Sequence, residues 1–258
     1  MTAPTPSAAS LRATAWSVVG NPEVRATVHG VHGAEGRTHW KAFAGRRQLQ
    51  SPTEAIEWAS IPPGGVSGEH LHTRTEELYL LLSGSGDLLL NGVAHPVRTG
   101  SLALTGVGSV HGLRNTGDTV LDWWVIETLP PATRAALSGE WPIQGGGAMN
   151  SAVVFDLFEQ KSVDTAGIFT GPMRHIDLVD LPAASRTTIG RPDAELAVYV
   201  HAGEGEVSQD GPGAAGATRL TADTCLLLPA GSRAEFSADS DLRMTVVTLA
   251  VEAQGAGG

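Results

Sequence analysis

The two halves of this chain repeat one pattern of apolar strands and glycine-centred turns. Residues 76–92, EELYLLLSGSGDLLLNG, resemble residues 194–211, AELAVYVHAGEGEVSQDG. Residues 98–113, RTGSLALTGVGSVHGL, resemble residues 220–236, LTADTCLLLPAGSRAEF. Both pairs are offset by about 120 residues, which is the size of one small domain. The repeat therefore predicts two copies of the same domain in tandem.

Each copy is predicted to be all-β. The 258 residues include 32 Gly and 15 Pro, and segments rich in Leu, Val, Ile and aromatic residues lie between these turn formers. Antiparallel strands in such number usually close into a jelly roll or barrel. Only residues 130–139 predict a helix, which opens a glycine-rich linker. The strands are predicted at 54–61, 76–84, 86–92, 100–106, 119–127, 151–158, 173–181, 195–203, 205–211, 223–231 and 242–252.

Composition excludes several classes of partner. The formal net charge of −10 argues against nucleic acid and against an anionic membrane surface. The single cysteine, Cys225, cannot form an intramolecular disulfide, and we expect it to be a small buried residue. No secretory signal or membrane span is recognisable, so a cytoplasmic protein is expected, and a homodimer is possible.

Three histidines and two glutamates lie close together in the first copy. His70 and His72 are two residues apart, so on a strand their imidazoles face the same side. Glu76 or Glu77 can add a carboxylate from the neighbouring strand, and His111 is the obvious third imidazole. Such a set either lies in a solvated turn or binds a divalent first-row metal with positions left open for water, substrate or O₂.

The spacing of these residues resembles the two sequence motifs of the cupin superfamily. The first motif is Gly64-x5-His70-x-His72-x4-Glu77-x6-Gly84, and the second is Gly100-x5-Gly106-x-Gly108-x2-His111-x3-Asn115. One position departs from the family pattern, because Gly106 stands where cupins usually carry Pro. The resemblance implies two tandem cupin jelly-roll β-barrels, a bicupin. It also implies the metal ligands His70, His72, Glu77 and His111, and leaves Glu76 to face solvent.

The second copy has lost this ligand set. Aligning the glycines places Ile189, Arg191 and Leu196 at the positions of His70, His72 and Glu77, and Ala234 at the position of His111. One divalent metal per chain is therefore expected. We predict a flexible leader at 1–14, a metal-binding cupin domain at 15–130, a linker with a short helix at 131–150, a degenerate cupin domain at 151–252 and a flexible tail at 253–258.

A substrate pocket is expected beside the metal. Tyr79 shares the face of Glu77 and is a candidate catalytic residue with it. Weak acid or base candidates are Glu76 and Asp122, and His29, His32 and His39 are expected in glycine-rich turns. Candidate pocket residues are Trp58, Tyr79, Trp123, Trp124 and Arg114, although core packing explains each aromatic as well.

By resemblance, the function is that of a metal-dependent cupin enzyme acting on a small enolic, carbonyl or aromatic metabolite. An oxygenase with Fe(II) is favoured, and Zn, Mn, Ni or Cu are possible. The alternatives are a redox-neutral cyclase, isomerase or decarboxylase, for example of the polyketide cyclase type, and a binding cupin without catalysis. Fold and ligands alone do not separate these reactions.

Overall fold

A computed structural model describes residues 19–139, 151–209 and 216–251. The predicted leader and tail lie outside these residues, as does most of the linker. Within them the chain is mostly β-structure. The two short α-helices are α1 (Pro131–Leu137), which lies inside the predicted helical segment, and α2 (Leu157–Gln160). Neither helix approaches the length or hydrophobicity needed to cross a membrane.

The first jelly roll pairs a large antiparallel sheet with a small one. Its strands are β2 (Ala26–His29), β3 (Arg37–Gly45), β4 (Thr53–Ile61), β5 (Val66–Leu71), β6 (Glu76–Ser83), β7 (Ser85–Leu90), β8 (Val93–Arg98), β9 (Ser101–Thr105), β10 (Val110–Arg114), β11 (Leu121–Thr128) and β12 (Ala152–Asp156). The order of the large sheet is β12-β9-β6-β11-β4-β3-β2, and that of the small sheet is β5-β10-β7-β8.

The second jelly roll has the same construction. Its strands are β1 (Val19–Gly20), β13 (Ser162–Asp164), β14 (Met173–Leu181), β15 (Arg186–Ile189), β16 (Ala194–Ala202), β17 (Gly205–Gln209), β18 (Thr218–Leu220), β19 (Cys225–Leu228), β20 (Ala234–Ala238) and β21 (Leu242–Ala250). Its sheets have the orders β1-β19-β16-β21-β14-β13 and β15-β20-β17-β18, which match the first jelly roll strand for strand apart from the edge strand β2. The predicted all-β fold of two cupin jelly rolls is confirmed.

The two halves of the chain exchange edge strands, so that each jelly roll contains one strand from the other half. β12, at the start of the second half, pairs with β9 of the first, from Ala152 opposite Thr105 to Asp156 opposite Ser101. β1, at the start of the first half, pairs with β19 of the second. The predicted domain boundary at residue 151 stays a prediction, and these two strands reach across it in opposite directions.

Alternation along the central strands divides the apolar residues among three cores. On β6, Tyr79 and Leu81 point into the first jelly roll, whereas Leu78 and Leu80 point outward. The outward residues pack in a shared core with second-half residues such as Tyr199. The second half therefore covers the outer face of the apolar β6 strand. The predicted homodimer, which would offer another cover, stays a prediction.

Buried carboxylates form hydrogen bonds across the interface between the two halves of the chain. The position of one of them, Glu76, contradicts a prediction. Glu76 was expected to face solvent, but it is only 4% exposed. Its carboxylate accepts hydrogen bonds from the backbone amides of Thr170 and Gly171 at 2.7 and 2.8 Å, and from the Thr170 hydroxyl at 3.0 Å. Glu76 faces away from Glu77, as alternation requires, but the second half of the chain occupies the space where solvent was expected.

The first-half histidines near the N-terminus lie in a hairpin rather than in turns alone. β2 carries His29 and β3 carries His39, and the two strands pair with Thr27 opposite His39. All four residues of β2 are exposed, so the sequence lacks the apolar alternation that identifies a strand. Between the strands, a short 3₁₀ turn at Val31–Gly33 carries His32.

Candidate metal centre

Four side chains from three strands converge inside the first jelly roll. His70 and His111 are cross-strand partners on β5 and β10, and His72 directly follows β5. Glu77 comes from β6 in the facing sheet. One ligand atom from each of the four lies within 4.8 Å of all the others. The set matches the ligands implied by the cupin motifs, and it could hold a metal ion.

Hydrogen bonds orient the three imidazoles with Nε2 toward the centre. Nδ1 of His70 lies 3.1 Å from the Gly68 carbonyl oxygen, and Nδ1 of His72 lies 3.3 Å from the Thr75 carbonyl oxygen. Nδ1 of His111 lies 2.9 Å from the Thr105 hydroxyl. A carbonyl can only accept, so His70 and His72 carry their proton on Nδ1 when neutral and leave Nε2 as a free lone pair. This is the arrangement that metal-binding histidines use.

The central distances fit a common cation. Nε2 of His72 lies 3.1 Å from Nε2 of His111, and these atoms lie 3.1 and 2.8 Å from Oε2 of Glu77. Ligand atoms about 2.1 Å from one ion and at right angles to each other are about 3.0 Å apart. Oε2 of Glu77 is buried without a hydrogen-bond donor. A cation bound between these atoms would remove the repulsion between their facing lone pairs.

The charge states of Glu77 and His70 suit a bound cation, whereas, against the effect of burial, Glu77 raises the pKa of His72, whose proton the ion must displace. Burial alone would raise the pKa of Glu77, but the facing His111 and His72 hold the pKa of this carboxyl well below its usual range. Burial lowers the pKa of His70 to about 4. At neutral pH, Glu77 is therefore anionic and His70 is neutral, which are the states in which both residues bind metal ions.

A fourth histidine lies against the site, and the sequence analysis did not include it among the ligands. The ring of His32 stacks on His70 with a centroid separation of 3.6 Å and an angle of 10° between the planes. Gly68 permits this approach, because a Cβ at that position would lie 2.2 Å from the His32 carbonyl oxygen. The sequence gives only a weak signal, the repeated histidines in VHGVHG.

A cavity of about 360 Å³ adjoins the cluster and shares Glu77 with it. Tyr79 and Trp123 lie in its wall as predicted, and the Tyr79 ring is 4.5 Å from the His111 ring. Burial, followed by the nearby Glu77, raises the pKa of Tyr79 well above its usual value, so its phenol stays protonated. The apolar and aromatic part of the wall consists of Val28, Val31, Trp40, Ala59, Tyr79, Trp123 and Val125.

Three predicted pocket residues lie elsewhere. Trp58 and Trp124 belong to the core shared by the two jelly rolls, because they alternate with the cavity residues Ala59 and Trp123. Arg114 ends β10 with an exposed side chain. These three residues therefore lie outside the wall of this cavity, and their assignment to a substrate pocket stays a prediction.

The weak acid–base candidates also lie outside the cavity wall. Asp122 accepts a hydrogen bond from the Ser83 hydroxyl at 3.0 Å, and Glu76 belongs to the interface described above. Two other carboxyl groups, which the sequence analysis missed, line the cavity instead: Glu57 and Glu127. Glu57 accepts a hydrogen bond from the Trp40 indole at 2.9 Å. Burial and then Glu77 raise the pKa of Glu127 to about 7, and burial raises that of Glu57.

The equivalent place in the second jelly roll is filled with apolar side chains. Leu196 and Ala234, at the positions of Glu77 and His111, belong to its interior core, and Ile189 packs against that core. Hydrophobic packing thus replaces the ligands, as expected. In the described part of the chain, the cluster in the first jelly roll is the one group with metal-binding geometry.

Comparisons with known proteins agree with this architecture. Residues 57–127 match the family model described as a cupin domain. The chain is 25% identical to the oxalate-binding protein of Thermotoga maritima over 99 residues, which cover 38% of this chain and 82% of that protein. It is 36% identical to Protein SchB of Streptomyces halstedii over 78 residues, which cover 28% of this chain and 56% of that protein.

Several solved structures share the two-domain fold over most of the chain. Oxalate decarboxylase from Bacillus subtilis has a TM-score of 0.65 at 13% identity, with 92% of this chain and 78% of that one covered. Salicylate 1,2-dioxygenase from Pseudoaminobacter salicylatoxidans has a TM-score of 0.61 at 15% identity, with 81% and 72% covered. The bacterial pirin from Escherichia coli has a TM-score of 0.66 at 14% identity, with 92% and 100% covered. At these low identities, the TM-scores show a common fold and nothing more.

Proposed function

Because this chain belongs to the cupin superfamily, we propose that it is a metal-dependent enzyme acting on a small enolic, carbonyl or aromatic molecule. The observation that carries the proposal is the convergence of His70, His72, Glu77 and His111 at the edge of a cavity. Three fixed imidazoles and one carboxylate leave coordination positions open for another molecule. Fe(II) is the favoured ion, and Mn, Ni, Cu or Zn suit the same ligands.

The bound ion would polarise a substrate oxygen, and a redox-active ion would also bring O₂ and substrate together. The protein supplies the remaining functions. Tyr79 and Trp123 provide aromatic surfaces against which a planar molecule can pack. The carboxyl groups of Glu57 and Glu127 can accept a proton from a substrate hydroxyl and return it. The apolar side chains of the wall can pack against the apolar part of a substrate.

An oxygenase is the favoured reaction class. The cavity and cluster together offer room for an organic molecule beside an ion with open positions. The test is oxygen uptake by protein purified anaerobically and loaded with Fe(II), with enolic, hydroxycarbonyl and aromatic compounds as candidate substrates. Oxygen consumption that depends on substrate supports the proposal. His72→Ala should abolish it, and Arg191→Ala, in the second half, should not.

A second candidate is redox-neutral proton transfer, as in isomerisation, cyclisation or decarboxylation. The placement of Glu57 and Glu127 beside the cluster favours it, because such reactions need a group that moves a proton. Zinc-loaded protein should then convert substrate without O₂, and Glu127→Gln should lower kcat more than it changes KM. Full metal retention without turnover of any such compound would indicate a binding protein instead.

A further inference from the structure

His70 differs from the other three metal ligands because it is only partly buried. His72, Glu77 and His111 are each at most 5% exposed, and burial restricts their side chains from all sides. Nδ1 of His70 is held by its hydrogen bond to the Gly68 carbonyl oxygen. One such bond fixes a ring nitrogen but permits the ring to tilt about it. Fixing the ring plane of His70 therefore takes a second contact.

The ring of His32 supplies a contact of the required kind. The rings of His72 and His111 meet His70 at angles of 44° and 75°, whereas His32 lies flat on its face at 10°. A flat neighbour at van der Waals distance resists tilting, because the tilted ring would collide with it. His32 does not belong to the set of four residues whose ligand atoms converge. Its contact with the site is therefore made through the ring face.

The backbone of the turn is strained at His32. Gly30, His32 and Gly33 all have positive φ angles, of 69°, 53° and 77°. Glycine adopts this left-handed conformation freely, whereas a residue with a side chain is uncommon there. Glycine at position 32 would therefore suit the turn better than histidine does. A strained residue that persists at such a position points to a use for its side chain.

Strand β5 is shaped to receive this turn. Gly68 lies two residues before His70, and its missing Cβ leaves the space that the His32 carbonyl group occupies. The carbonyl oxygen of the same glycine accepts the hydrogen bond from His70. One position on β5 thus provides both restraints on His70, the hydrogen bond directly and the stacked ring through the close approach of the turn.

We propose that His32 is a positioning residue that fixes the ring plane of His70 and thereby sets the affinity and the geometry of the metal site. An imidazole binds an ion along the direction of its lone pair, so a tilted ring binds more weakly. Residues that orient metal-binding histidines typically change metal affinity by about 10- to 100-fold. The inference rests on the proposed function, because the orientation of His70 matters only if it binds an ion.

The test measures metal binding rather than turnover. Wild type and variants are stripped with a chelator, checked for folding by circular dichroism, and titrated with Zn(II) and Co(II). The visible absorption spectrum of bound Co(II) reports the arrangement of its ligands. His32→Ala should bind both ions at least about tenfold more weakly than the wild type, with a changed Co(II) spectrum. His32→Phe keeps a flat ring without a nitrogen, and it should stay within about threefold of the wild-type affinity.

Two further variants separate positioning from support of the fold. His32→Gly also removes the ring but relieves the backbone strain. It should therefore unfold at a higher urea concentration than His32→Ala and yet bind both ions equally weakly. His29→Ala is the matched control, because His29 is an exposed histidine of the same hairpin, as His32 is. Its metal affinity and Co(II) spectrum should match those of the wild type.

Three results would overturn the inference while leaving the metal site in place. The first is wild-type affinity with an unchanged Co(II) spectrum in both His32→Ala and His32→Gly. The second is a loss in His32→Phe as large as in His32→Ala, and the third is metal affinity that follows the stability of the variants. A wild type that takes up neither ion would contradict the proposed function itself, and the inference with it, so the wild-type titration distinguishes the two failures.

Discussion

Glu76 and Glu195 occupy equivalent positions in the two jelly rolls, and each carboxylate binds two consecutive backbone amides of the opposite half. Glu76 accepts from the amides of Thr170 and Gly171, and Glu195 accepts from those of Gln50 and Ser51 at 2.8 and 3.0 Å. Both glutamates are at most 5% exposed. The repeat thus builds one contact twice and fastens the halves around their shared apolar core.

Removing either charge should weaken the joined fold. Glu76→Gln places an amide NH₂ where a carboxylate oxygen now accepts, so a donor faces a donor. The free energy of unfolding should fall by about 2–4 kcal/mol, with a similar result for Glu195→Gln. Urea denaturation measures it, with the partly exposed Glu54→Gln as the control that should cost less than about 1 kcal/mol. A decrease in the free energy of unfolding of less than about 0.5 kcal/mol in both Glu76→Gln and Glu195→Gln would refute the role assigned to these residues.

Gly106 departs from the cupin motif for a reason that the structure makes visible. Its amide donates to the Ser151 carbonyl at 2.7 Å at the point where β12 joins the sheet, and proline has no such donor. An added Cβ would also lie 2.5 Å from the Ser151 hydroxyl oxygen. Gly106→Ala tests the steric effect alone, and Gly106→Pro should be less stable than Gly106→Ala by about 1–2 kcal/mol in thermal or urea unfolding. Equal stabilities would show that the hydrogen bond contributes nothing.

His201 should make the stability of the second jelly roll depend on pH. Burial, followed by Arg243, lowers its pKa to about 4, and its Nε2 lies 2.7 Å from the Thr245 hydroxyl. Above about pH 6.5 both the folded and the unfolded states carry a neutral imidazole, so stability is unaffected. As pH falls from about 6.5 to about 4, only the unfolded state binds a proton, and stability should drop by about 1–3 kcal/mol.

The measurement for His201 is a series of unfolding curves over that pH range for the wild type and His201→Gln. The difference between the two isolates this residue from the other histidines. The variant should lose less stability than the wild type on acidification. Parallel pH profiles would mean that His201 is protonated equally in both states.

The candidate metal ligands could be predicted from the sequence because short-range spacing identifies them. His70 and His72 share a strand face by simple alternation, and framing glycines place Glu77 and His111. The residues of the cavity wall depend instead on which face of each strand turns inward. Both faces of β4 and β11 are apolar, so alternation alone could not place Trp58 outside and Glu57 inside.

The interface between the two halves could not be predicted from a local sequence pattern either, because it joins residues that are far apart in the chain. Glu76 meets Thr170, 94 residues further along the chain, and no periodicity indicates that contact. Alternation correctly turned Glu76 away from the metal centre, but exposure depends on what covers the outer face. The repeat predicted a second domain, but only the structure shows that this domain packs against the outer face of β6 through a shared apolar core.

The metal content of the purified protein tests the central claim most directly. Elemental analysis after anaerobic purification and saturation with a divalent ion should give one ion per chain in the wild type and in Arg191→Ala. His72→Ala and His111→Ala, checked for folding by circular dichroism, should retain almost none after dialysis. Full occupancy in folded His72→Ala and His111→Ala, or no uptake by the wild type, would contradict the assignment of His70, His72, Glu77 and His111 as the metal site.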